Sequence, residues 1–140
     1  TYALTQPLSP HSAAEIDGIT IELEKFKIPT DQTLIIELAG GIMVPLNDRD
    51  TNLDLIKQLG LPVILVSKNY LGSINHTLLS YEILKQQGVE MAGIVFNGPE
   101  NPSGEKFILN HTGLPLVLRV NTENELNEAV IASYAHKIHV

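Results

Sequence analysis

The chain has 140 residues, of which 44% are apolar and 18% charged, with a net charge of −7 and no cysteine. That size and mixture predict a single globular domain over 1–140 with a real core, and the acidic balance argues against a nucleic-acid groove or a polybasic membrane patch. The missing cysteine excludes a disulfide framework and thiolate chemistry, and no apolar run approaches the roughly 18 residues of a membrane span. The expectation is therefore a cytoplasmic protein that binds small molecules or protein partners.

At the start, "SPHSAAEIDG" predicts a helix opening after Pro10, and "ITIELEKFK" a second helix after a turn at Gly18. Next comes "TLIIEL" (33–38), a continuous apolar run that ends near Glu37 and is followed by Gly40 and Gly41. It predicts a strand, as do "LPVILVSK" (61–68), "MAGIVFN" (91–97) and "LPLVLRV" (114–120). Runs without polar alternation imply strands covered on both faces. Between them, "DTNLDLIKQLG", "SINHTLLSYEILKQQG" and "SGEKFILNHTG" each close on a glycine, where helices commonly stop in the left-handed conformation. Alternating β and α predicts a parallel sheet with helices on both faces, and ligands beyond the carboxyl ends of its strands.

Three strand ends carry candidate chemistry. Glu37 could reach a metal ion or polarise a bound group, and the glycine pair lets backbone approach a ligand or adopt positive φ. A glycine pair at an ordinary turn, with Glu37 facing solvent, accounts for the same residues. Gly72 and Ser73 precede a helix starting near Ile74 or Asn75, whose free amides and dipole suit a carboxylate or phosphate; a plain Ser N-cap is the alternative. Asn97, at the tip of the third strand, has the donor and acceptor needed to read a base edge, though Asn-Gly is also ordinary turn chemistry. His76, His136 and His139 lack further ligands at metal-site spacing and read as structural or surface residues.

Together, "ELAGGIMVPL", "LPVILVSKNYLGSINHTLLS", "GIVFNGP" and "SPHSAAE" closely resemble the dethiobiotin synthetase family, with the likeness densest from residue 34 to 97. The resemblance implies a three-layer α/β fold of the P-loop NTPase type. It implies an ATP- and Mg2+-dependent cyclo-ligase that forms carbon–nitrogen bonds, closing the ureido ring of diaminopelargonic acid with carbon dioxide in biotin biosynthesis. By that resemblance Glu37 holds the magnesium ion, and Gly40 and Gly41 pass the substrate amines. Leu71, Gly72, Ser73, Ile74 and Asn75 bind the substrate's distal carboxylate across a homodimer interface. Ser9 lines the diamine pocket and Asn97 reads adenine.

Departures accompany the match. Leu38 stands where the family has glycine, and no G-x-x-x-x-G-K-[ST] phosphate loop occurs, nor the lysine and aspartate that follow it. Roughly the first third of the enzyme is therefore expected to be missing, with the strand preceding the phosphate loop belonging between 33–38 and 61–68. A noncatalytic binding module of the same family is the alternative; a more distant one, another P-loop amide-forming ligase or partition-type ATPase, is opposed by "LGSINH". Arg119 has no role on this reading.

Overall fold

The computed structural model describes residues 1–29, 31 and 33–138. The chain divides into two compact units, Thr1–Leu61 and Pro62–Val140.

In the first unit, helix α1 (Pro10–Ile16) opens with proline at its first position, where the missing N–H costs no hydrogen bond. The expected second helix after Gly18 does not form: only a single 3-10 turn, Leu23–Lys25, interrupts extended chain. Ile19, Thr20 and Ile21 are β-branched and lose rotamer freedom in a helix, and the alternation that follows buries Ile21 and Leu23 while exposing Glu22 and Glu24. Helix α2 (Asn52–Leu59) forms where expected and stops at Gly60 in the left-handed conformation. The N–H and hydroxyl of Thr51 both donate to the Asp54 carboxylate, at 2.8 and 2.7 Å. A core of Ala14, Ile21, Leu23, Leu46 and Leu55 joins these elements, with Tyr2, Phe26 and Leu38 packed against it.

The strand expected over 33–38 is absent from the first unit. These residues run as unpaired chain, exposed from Thr33 to Glu37, with Ile35 93% exposed. A strand needs a neighbour to complete its ladder of hydrogen bonds, and no described segment pairs with this one. The apolar run therefore has strand composition without strand structure.

The second unit is an open parallel sheet in the order β1–β2–β3: β1 (Val63–Lys68), β2 (Met91–Asn97) and β3 (Leu116–Val120). Helix α3 (Ser73–Gln86) connects the first two strands and α4 (Pro102–Thr112) the second two. Ile94, Phe96 and Ile108 are fully buried between sheet and helices, with Leu65, Ile74 and Leu78 packed around them. Glycines follow α3 and α4 as expected: Gly88 and Gly113 both have positive φ. Coverage on both faces does not hold for β1, whose burial alternates: Leu65 and Ser67 face the core, while Ile64 and Val66 are exposed. A fifth helix, α5 (Glu128–Ala135), was not expected; its signal was Asn127, whose side chain accepts from the Val130 N–H as an N-cap.

The result is an α/β chain with three parallel strands and five α-helices among the described residues, consistent with a P-loop NTPase-like fold. No helix among the described residues is long and apolar enough to cross a membrane.

Candidate functional site

The candidate residues fall in both units. In the first, Ser9 is the N-cap of α1, and its hydroxyl donates to Ser12 (3.1 Å), which is bonded in turn to His11 Nε2 (3.2 Å). His11 Nδ1 is buried without a partner. This short polar chain ties Ser9 to a half-buried histidine whose other nitrogen is uncompensated.

Glu37 lies on exposed chain rather than at a strand end, and its carboxylate makes no hydrogen bond or ion pair to a described residue. Beside it opens a cleft of about 250 Å³ whose wall includes Phe26, Ile28, Leu34, Ile36 and Leu55. Among the described residues no three His, Asp or Glu side chains gather as metal ligands. Magnesium is usually held by one or two carboxylates together with substrate phosphates and water, so a single unengaged carboxylate fits that donor set.

The two glycines after Glu37 turn out to differ. Gly40 has φ +79°, and a Cβ there would lie 2.7 Å from Val44 Cγ2. Gly41 has open space around it. The first is demanded by the turn itself; the second leaves room beside the backbone. Asn52, which sequence reasoning missed, holds this loop. Only 1% exposed, its amide donates to the carbonyls of Ala39 (2.8 Å) and Gly41 (2.9 Å). The backbone N–H groups of Asn52 and Leu53 donate to Val44 and Ile42, so the start of α2 is consumed in fixing the loop.

In the second unit the chain leaves β1 through Asn69 and Tyr70 into the turn before α3. The N-cap is Gly72, not Ser73, and its φ of +99° is a conformation that other residues rarely adopt. The Ser73 N–H donates to Tyr70 O and the His76 N–H to Gly72 O, whereas the N–H groups of Ile74 and Asn75 have no acceptor among the described residues. The Ser73 hydroxyl is buried without a partner. Two free amides at the positive end of a 14-residue helix have the geometry and dipole that suit an anion. Leu71 is completely exposed at the rim, and Tyr70 bonds its hydroxyl to His76 Nδ1, which gives that histidine a structural partner.

Asn97 closes β2 opposite Lys68 of β1 and Val120 of β3. Its side-chain amide makes no hydrogen bond to a described residue and is only half-buried. Asn97 thus stands at the carboxyl end of β2 and the 71–75 turn beyond that of β1, the side on which ligands of open parallel sheets bind. His136 is exposed, and His139 lies outside the described residues.

A family model described as an AAA domain matches residues 1–130. The chain is 49% identical over 139 residues to the ATP-dependent dethiobiotin synthetase BioD of Cytophaga hutchinsonii, a match covering 98% of this chain and 68% of that protein. To the protein of the same name from Christiangramia forsetii it is 49% identical over 136 residues, covering 96% and 65%. To that of Chlamydia felis it is 39% identical over 138 residues, covering 97% and 65%. The chain thus spans about two thirds of the length of these curated relatives. With nearly every residue aligned at such identity, and the strand-end features placed as described, this chain belongs to the dethiobiotin synthetase family.

Proposed function

We propose that the chain is the C-terminal part of an ATP-dependent dethiobiotin synthetase, contributing the diamine site, one carboxylate for magnesium and the base-reading end of the nucleotide site. The reaction begins when an amine of diaminopelargonic acid adds to carbon dioxide and loses a proton, giving a carbamate. A carbamate oxygen then attacks the γ-phosphorus of ATP and ADP leaves. The second amine attacks the carbamate carbon, the C–O bond to phosphate breaks, and loss of a proton leaves the closed ureido ring.

The protein's task in such chemistry is positioning and charge compensation more than covalent participation. Gly40 and Gly41 pass the two amines, with Ser9 lining the same pocket; Asn52 holds the loop in place. Glu37 would hold magnesium, which when bound neutralises phosphate charge. Asn97 reads the adenine edge. The turn from Leu71 to Asn75 takes the distal carboxylate, supplied from a neighbouring subunit's pocket, and the fully exposed Leu71 accords with burial in a homodimer.

The observation that carries this reading is the start of α3: two unengaged amides behind a glycine at φ +99°, beside a buried hydroxyl without a partner. The test compares the diamine acid with its uncharged carboxamide in the full-length protein. Loss of charged hydrogen bonds should raise KM about tenfold or more for the carboxamide, with little change in KM for ATP. Equal KM values for acid and carboxamide would remove the carboxylate from this site.

A further inference from the structure

Arg119 has no part in the reaction as described, yet each nitrogen of its guanidinium meets a protein acceptor. Its Nε pairs ionically with Glu105 (3.1 Å), its Nη1 donates to the Val120 carbonyl (2.6 Å) and its Nη2 to the Gly98 carbonyl (3.0 Å). All three nitrogens face protein acceptors, which sets this arginine apart from one extended toward phosphate. Glu105, on α4, is likewise shared: it forms the ion pair with Arg119 and accepts from the Asn69 amide and from the Asn101 N–H (3.3 Å). Asn69 completes the set, donating also to the Pro99 carbonyl (2.9 Å), while its backbone N–H donates to Asn97 O (2.9 Å).

Three side chains from the ends of β1 and β3 and from α4 therefore converge on one short stretch of backbone. Gly98 O, Pro99 O and Asn101 N are each held by one of them, Asn97 O accepts from the Asn69 backbone N–H, and the Gly98 N–H donates to Val120 O (3.0 Å). Within this stretch the Asn97 side chain has no hydrogen-bond partner among the described residues. Asn69 keeps this arrangement at a cost: its Oδ1 is buried with no donor. Packing alone gives no reason to retain a buried amide with one end uncompensated, whereas holding a recognition loop does.

We propose that Asn69, Glu105 and Arg119 form a positioning network that sets nucleobase specificity without touching the nucleotide, by fixing the 97–101 loop so that the Asn97 amide meets a purine edge at one angle. This rests on the reading of Asn97 as the base-contacting residue. Planarity matters here, because a guanidinium spans two carbonyls and a carboxylate at once, and an ammonium on a flexible stem cannot.

The test measures KM for ATP and for GTP, kcat, and KM for the diamine acid in the full-length protein, for wild type, Asn97→Ala, Arg119→Met, Arg119→Lys and Glu105→Gln. If the network acts as stated, Arg119→Met raises KM for ATP about tenfold and narrows the preference for ATP over GTP. In the same variant kcat and KM for the diamine acid stay within about twofold, the signature of lost uniform nucleotide binding. Arg119→Lys behaves like the methionine variant rather than like wild type. Should Arg119→Met fail to fold, Glu105→Gln, which keeps an acceptor for Asn69 but loses the ion pair, shifts the ATP-to-GTP ratio in the same direction. An Asn97→Ala enzyme that loses base preference beside Arg119 and Glu105 variants that keep it would overturn the network and leave the base reading standing. An Asn97→Ala enzyme with unchanged KM for ATP overturns the base reading itself, and the proposal with it. Parallel rises in both substrate KM values for Arg119→Met and Glu105→Gln would mark the network as general scaffolding.

Discussion

Replacing Asn52 with alanine tests whether the loop after Glu37 is held by the side chain that touches it. The native amide makes two hydrogen bonds, of 2.8 and 2.9 Å, to Ala39 O and Gly41 O. Each contributes about 0.5–1.5 kcal/mol net. Both acceptors belong to exposed residues, and Gly41 O also accepts from the Val44 N–H. The carbonyls can therefore rehydrate, and no buried orphan adds to the cost. Losing the pair together with the packing of a side chain that is 1% exposed should destabilise the protein by about 2 kcal/mol. Urea unfolding of wild type and variant, followed by circular dichroism, reads this directly as a lower midpoint at unchanged slope. KM for the diamine acid should rise as well if, as proposed, the loop passes the amines, while KM for ATP changes little. A variant within about 0.5 kcal/mol of wild type, the scatter of ordinary surface substitutions, would refute the claim that Asn52 holds the loop.

Glu37→Gln should leave stability within about 0.5 kcal/mol, since the exposed carboxylate makes no hydrogen bond or ion pair to a described residue, yet abolish most turnover at saturating ATP and weaken the magnesium dependence; wild-type turnover would remove Glu37 from the metal site. Gly40→Ala should destabilise clearly more than Gly41→Ala, because only Gly40 combines φ +79° with a Cβ position 2.7 Å from Val44, and equal unfolding midpoints would contradict that. Gly72→Ala should raise KM for the diamine acid more than for ATP by disturbing a cap at φ +99°; equal effects would make the turn merely structural. Two aspartates give a pH dependence of fixed sign. The Thr5 hydroxyl and N–H lower the pKa of Asp17, and the Thr51 N–H and hydroxyl lower that of Asp54. A depressed carboxylate stabilises the fold above its unfolded pKa, near 3.8 here, and loses that contribution as pH falls through the folded value. Replacing Thr5 and Thr51 with valine should therefore shrink the loss of stability between neutral and acid pH, as measured by denaturant unfolding at each pH; an identical loss in the double variant would show that these bonds do not couple to protonation.

How far the sequence reached depended on how local each signal was. Proline at the start of α1 and glycine after α2, α3 and α4 act within one turn of backbone, and each marked its helix. Three of the four apolar runs became strands because β1, β2 and β3 pair with one another. The fourth has the same composition but no described partner, and composition cannot supply a ladder. The extended chain after Gly18 shows the reverse: a helix was expected there, while β-branched Ile19, Thr20 and Ile21 carried the stronger preference. Among site residues, Gly40, Gly72 and Asn97 stood out because turn chemistry and strand ends are visible in one dimension. Asn52 and Asn69 did not, since a buried amide is recognised only by the carbonyls it meets, 11 to 13 residues away for Asn52 and 30 away for Asn69.

By itself, then, the sequence determined the family, the α/β alternation and the residues at the strand ends, all of which rest on local order and on recurring short motifs. Tertiary structure decided which glycine of the pair is obligatory, which amides at the start of α3 remain free, and what Arg119 contacts. The first two turn on backbone angles and contacts that no residue pattern shows, and the third on groups far apart in the chain. The arginine is the plainest case: a lone cation in "LVLRVN" says nothing of its partners, and only when β3 lies beside β2 do Gly98 and Glu105 come within its reach.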